Sequence, residues 1–232
     1  LALWHSFDNE APGDPNDWMF QVRQYALQAW LYYMTNEEDV PERLITDGFY
    51  TNTNSSPQAY HLENVGADRL RTIFANWAAR NTLNFNYLRR EQVERADEEL
   101  MNAGDPLNSR PYALTLNETQ FLGTHSPEIK YNPRGWAYNV IRLQNIPVGI
   151  YTIQIKGNNQ GSQSAPSHFE GRYVAEGQSE LQYFDMISNT SGSLILSLDT
   201  PLEEGYLIIA SVPDKLETSQ NYGYEISITQ QE

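Results

Sequence analysis

The sequence predicts an α+β chain: an N-terminal helical region followed by a C-terminal antiparallel β-sandwich of jelly-roll or immunoglobulin-like type. Three observations lead there. Apolar residues recur at helical spacing through the first hundred positions, prolines interrupt the middle, and short alternating segments separated by Gly, Asn and Ser fill the rest. The boundaries read as a helical region over 1–103, a Pro-rich joint over 104–133 and the sandwich over 134–232.

The first helix opens at Asp14 and Pro15, a cap residue followed by a proline suited to the first helical position. Trp18, Val22, Tyr25, Ala26, Ala29, Trp30 and Tyr33 then carry its apolar face, giving a helix from about Asn16 to Met34. Asn36 to Pro41 stop it, and a short helix follows through Leu44. "TNTNSSPQAYH" reads as loop by composition. Leu70, Ile73, Phe74, Trp77 and Ala78 form the apolar stripe of the next helix, with Arg69, Arg71, Asn76 and Arg80 off it. "REQVERADEELMN" completes the helical part with alternating charges typical of a solvated face.

Pro106, Pro111, Pro127 and Pro133 mark the joint. Beyond it, "WAYNVIRL", "GIYTIQIKG", "FEGRYVAEG", "LQYFDMIS", "GSLILSL", "GYLIIASVP" and "GYEISITQ" are strand candidates. In the second of these Tyr151, Ile153 and Ile155 face one way and Thr152, Gln154 and Lys156 the other.

Composition narrows function. The formal net charge of −15 repels phosphate backbones and anionic bilayers, so nucleic acid is excluded as a partner. No apolar run is long enough for a membrane-spanning helix, so membrane insertion is not expected. Cysteine is absent, which removes disulfides, thiolate nucleophiles and cysteine zinc sites. Few lysines and many Tyr, Asn, Gln, Ser and Thr lean toward an extracellular or cell-surface protein. The chain opens with Leu1 and an apolar pair already in place, and reads as a piece of something longer.

Chemistry-bearing motifs are sparse. His5, His61, His125 and His168 lie in different segments with no HExxH, no GxSxG appears, and the acidic pairs Glu37–Glu38, Glu98–Glu99 and Glu203–Glu204 read as solvated surface. Asp8, Asp14 and Asp17 sit in an acidic loop that can wrap Ca²⁺, although a capped helix start explains the same residues more plainly. Tyr131, Trp136 and Tyr138 offer a stacking platform for sugar rings; sealing the joint between helices and sandwich is the plainer alternative.

The order of "FANWAARNTLNFNYL", a proline-rich joint, "NPRGWAYNVIRL" and "GYLIIASVP" resembles a family of large secreted bacterial proteins of unknown function. In that family a gluzincin-peptidase-like helical region precedes a β-sandwich. The resemblance implies that residues 1–103 are the C-terminal part of a larger peptidase-like domain, with Zn²⁺ only if a histidine and glutamate motif lies upstream. "LRTIFANWAARN" contains no carboxylate where such folds place a downstream ligand, so no catalytic residue carries over. The leading expectation is a glycan- or protein-binding module of a secreted or cell-surface bacterial protein, its partner a glycan or surface protein. The alternatives are the C-terminal portion of a zinc peptidase-like enzyme, or a structural subunit that makes contact through "GYEISITQ" as an exposed edge strand.

Overall fold

The computed structural model describes residues 30–50, 57–82, 112–158, 167–175, 180–188, 191–214 and 220–231. Four helices lie among them: α1, helical at residues 30–36, α2 (Glu42–Tyr50), α3 (Pro57–Asn64) and α4 (Ala67–Thr82). The strands are β1 (Leu114–Asn117), β2 (Gly123–His125), β3 (Ala137–Ile146), β4 (Gly149–Gly157), β5 (Phe169–Ala175), β6 (Gln182–Tyr183), β7 (Asp185–Ser188), β8 (Ser191–Leu198), β9 (Leu202–Ser211) and β10 (Tyr224–Gln230). They form two five-stranded sheets, ordered β1-β3-β9-β5-β6 and β2-β10-β4-β8-β7.

This corrects the α+β expectation. The described chain is predominantly β, and its helices are a small layer laid on one sheet. Much of the expected helical content falls on residues 1–29 and 83–111, which lie outside the described residues. The sandwich is also not purely antiparallel, because β1 pairs parallel to β3, Leu114 opposite Ile141. Two of its strands, β1 and β2, arise inside the proline-rich stretch. "GYEISITQ" is not a free edge either: β10 pairs with β4 on one side and with β2 on the other.

Alternation builds the core. Tyr151, Ile153 and Ile155 of β4 point inward with Leu194, Leu196 and Leu198 of β8 and Ile226 and Ile228 of β10. Ile141 and Leu143 of β3 and Leu207 and Ile209 of β9 meet them from the first sheet. Full burial of each such side chain contributes roughly 1.5–3 kcal/mol. Gly171 of β5 is small because Phe184 Cδ2 and Ile155 Cδ1 lie 2.6 and 2.7 Å from where a Cβ would stand.

A second apolar cluster joins the helices to the outer face of the first sheet. Trp30, Met34, Leu70, Ile73, Phe74 and Trp77 pack together with Trp136, Ala210 and Val212. Edge-to-face ring pairs order it, Trp30 on Trp77 at 5.5 Å and Phe74 on Trp136 at 5.5 Å. The α4 stripe is therefore real, but the polar residues off it are not all solvated: Arg71 and Asn76 are buried too, 4% and 8% exposed. A helix wedged between other helices and a sheet has more than one inward face. Where "TNTNSSPQAYH" was expected to be loop, its last residues open α3 at Pro57, with proline at a helical start. α2 likewise runs past Leu44 to Tyr50.

Candidate functional site

Trp136 and Tyr138 stand where the helices meet the sandwich. The turn that leads into β3 places Trp136 at φ +58°, a left-handed conformation that is costly for a bulky side chain. Three contacts hold it there. Its backbone N–H donates to Ser211 O at 2.7 Å, its indole Nε1–H donates to Pro213 O at 3.1 Å, and its ring packs on Phe74. The side chain is fully buried and shows no face to a sugar. Tyr138 packs edge-on against Phe74 and Trp77, 6.3 and 6.2 Å away. Tyr131 ends the short 3-10 helix Ile129–Tyr131, and its carbonyl accepts from Asn139 Nδ2 at 2.8 Å. The buried indole of Trp136 offers no stacking face, whereas Tyr131 and Tyr138 are only half-buried. Asp8, Asp14 and Asp17 lie outside the described residues. Among the described residues, no three His, Asp or Glu side chains gather as metal ligands would.

Two polar clusters emerge that the sequence did not reveal. The first is buried in the joint. Arg172 of β5, 1% exposed, donates from Nε to Asn76 Oδ1 of α4 at 2.8 Å and from Nη1 to Glu170 Oε2 at 3.0 Å. Tyr183 covers its guanidinium, 4.4 Å from the ring centroid. Asn76 Nδ2 continues to Glu38 Oε1 at 3.4 Å, which also accepts from the Tyr33 hydroxyl at 2.9 Å. Burial raises the affinity of Glu170 for a proton, but His168 and Arg172 beside it outweigh that and hold its carboxyl below the usual range. Burial first, then the Glu38 carboxylate, push the Tyr33 phenol well above its ordinary value. Arg71 makes a parallel tie, donating from Nε to Val212 O at 3.1 Å and pairing with Asp68 and Asp214. These charges are spent on one another, so the cluster acts as a latch between α4 and the sheet.

The second cluster lies on the outer face of the first sheet, at the margin of the α4 layer, with Tyr206 packed against the small cluster of Ala78, Ala79, Val174 and Ile208. β3 and β9 align Arg142 with Tyr206 and Gln144 with Glu204. Arg142 grips Glu204 in a fork, Nε to Oε1 at 3.0 Å and Nη2 to Oε2 at 2.6 Å. Tyr206 donates its hydroxyl to the same Glu204 Oε1. Tyr112, just before β1, stacks on Tyr206 with ring centroids 6.1 Å apart and planes 27° from parallel, and the Arg142 guanidinium lies 5.4 Å from its ring centroid. The pair stays partly solvated, with the Arg142 and Glu204 side chains 30% and 22% exposed. The hydrogen bonds from Arg142 hold the Glu204 carboxyl below its usual range. Burial, then the bond to Glu204, raises the Tyr206 phenol. Nothing in the local sequence marks this site. Tyr112 sits in the proline-rich joint, Glu204 in an acidic doublet that reads as surface, and only the strand register joins them.

No protein-family model matches the chain, and no curated protein matches it. Among solved structures, the chain is similar to the pre-peptidase C-terminal domain of collagenase from Bacillus anthracis, at 13% identity and TM-score 0.36, over 53% of this chain and 100% of that one. It is similar to PliG from Salmonella Typhimurium, a periplasmic inhibitor of g-type lysozyme, at 13% identity and TM-score 0.31, over 50% of this chain and 97% of that one. CorA, a surface-associated copper-binding protein of Methylomicrobium album, matches at 7% identity and TM-score 0.28, over 51% of this chain and 98% of that one. Likeness at this level says nothing of activity or partner.

Proposed function

We propose that this chain is a binding module of a secreted or cell-surface protein, and that it takes a glycan at Tyr112, Arg142, Glu204 and Tyr206. The observation that supports this reading is the stacked Tyr112–Tyr206 pair beside the forked Arg142–Glu204 pair on a partly open sheet face. Aromatic rings offer an apolar surface to the C–H face of a sugar, and the adjacent charged groups supply directional hydrogen bonds to its hydroxyls. A bidentate ion pair and a stacked ring limit side-chain motion, which lowers the entropic cost of binding. Composition points the same way, with 15 tyrosines and a net charge of −15, which disfavours nucleic acid and anionic membrane as partners.

The test is a glycan array probed with the whole chain, followed by calorimetry on any hit. Binding that weakens at least about tenfold in Tyr112→Ala supports the reading, since a tenfold change corresponds to about 1.4 kcal/mol. No binding to any glycan, or binding indifferent to Tyr112→Ala, rejects it.

A further inference from the structure

We infer that the ligand of this cluster is a neutral sugar presenting adjacent hydroxyls, rather than an acidic glycan; the inference rests on the reading of the cluster as a glycan site. Arg142 spends Nε and Nη2 on Glu204, and Nη1 makes no bond among the described residues. Glu204 Oε1 receives both Arg142 Nε and the Tyr206 hydroxyl, which fills it, while Oε2 receives Nη2 alone. Two N–H donors on Nη1, one on Nη2 and an acceptor position on Glu204 Oε2 therefore remain within the one ion pair.

A hydroxyl donates and accepts, so two adjacent sugar hydroxyls can meet both kinds of position, one accepting from Arg142 and the other donating to Glu204 Oε2. A uronate carboxylate or a sulfate only accepts. It would satisfy Arg142 but leave Oε2 without a donor and facing a like charge. The Arg142–Glu204 pair carries no net charge that would attract an anion, and the chain's formal charge of −15 repels one at longer range. The next row of the sheet continues the same chemistry. Asn117 of β1, Gln144 of β3 and Glu204 of β9 share one register line; the Gln144 amide can donate to and accept from further hydroxyls, and Asn117, whose Oδ1 already accepts from Thr119, can donate from Nδ2, all without adding charge.

The measurement is calorimetric titration of the whole chain with two neutral polysaccharides, xyloglucan and galactomannan, and with the acidic polygalacturonate, each at low and at high salt. The expected result is binding of a neutral polymer at least about tenfold tighter than of polygalacturonate, little changed by salt, and weakened several-fold by Glu204→Gln and by Gln144→Ala. Circular dichroism confirms that each variant is folded, and Gln144→Ala keeps the test valid should Glu204→Gln unfold. Tighter binding of polygalacturonate that fades with salt and is lost in Arg142→Gln overturns the inference while leaving the glycan-site reading intact. Failure of all three polymers to bind overturns the inference, and a glycan array that also shows no binding overturns the glycan-site reading with it.

Discussion

Asn76 of α4 and Arg172 of β5, 96 residues apart in sequence, meet at 2.8 Å in the buried joint, the amide oxygen accepting from the guanidinium Nε. Through this contact a helix is fixed against a strand by direction as well as by apolar packing. Removing the amide strands part of a buried cation, and a hydrogen bond to a charged group is worth about 1.5–3 kcal/mol. Asn76→Ala should therefore destabilise the protein by about 2 kcal/mol in chemical denaturation. A change below about 0.5 kcal/mol would show that the joint holds without the latch.

Trp136 fills the same joint and holds a left-handed backbone. Trp136→Ala should cost about 3–5 kcal/mol, the range for emptying a large aromatic site. Trp136→Phe keeps most of the packing and loses the bond to Pro213 O, at about 1 kcal/mol. Differential scanning calorimetry separates the two outcomes. Equal small losses would mean that the indole is not a packing element.

All seven segments assigned to strands contain strands, because alternation reports one buried face directly, as the buried Tyr151, Ile153 and Ile155 show. β1 and β2 escaped notice for a physical reason. They are short strands of four and three residues, too brief to display a period, and they are stabilised by partners distant in sequence. The apolar stripe of α4, with Arg71 and Asn76 off it, marks only one inward face, whereas the sheet buries a second that is partly polar. The Tyr112 cluster was illegible for the same reason as β1. Its members come from three separate segments, and register brings them together.

His61 is buried between α2 and α3, its Nε2 3.3 Å from Ile45 O. A carbonyl can only accept, so Nε2 carries the proton of the neutral ring. Burial holds the imidazole below its ordinary value of 6.5. A depressed histidine binds fewer protons folded than unfolded below that value, so stability should be unaffected by His61 above about pH 7 and should fall as pH drops through 6.5. His61→Gln, whose amide can still donate to Ile45 O, should flatten that slope between pH 7 and 5 in urea melts. An unchanged slope assigns it to other groups.

Arg142 and Glu204 are partly exposed, so their pair should matter little to folding, about 0–1 kcal/mol. Arg142→Lys preserves charge but cannot make the fork. Its melting temperature should stay within a few degrees of the unmodified chain, while glycan affinity falls about tenfold or more. Loss of stability in parallel with affinity would make the pair a structural clamp instead.

Sugar binding on the outer face of β1, β3 and β9 through the Tyr112–Tyr206 stack is tested most directly by calorimetric titration of the unmodified chain and of Tyr112→Ala with a neutral polysaccharide. Saturable binding to the former that is reduced at least about tenfold in the latter, with both melting alike, is the expected result. Equal binding by both chains, or no binding of any glycan, neutral or acidic, by the unmodified chain, would contradict it.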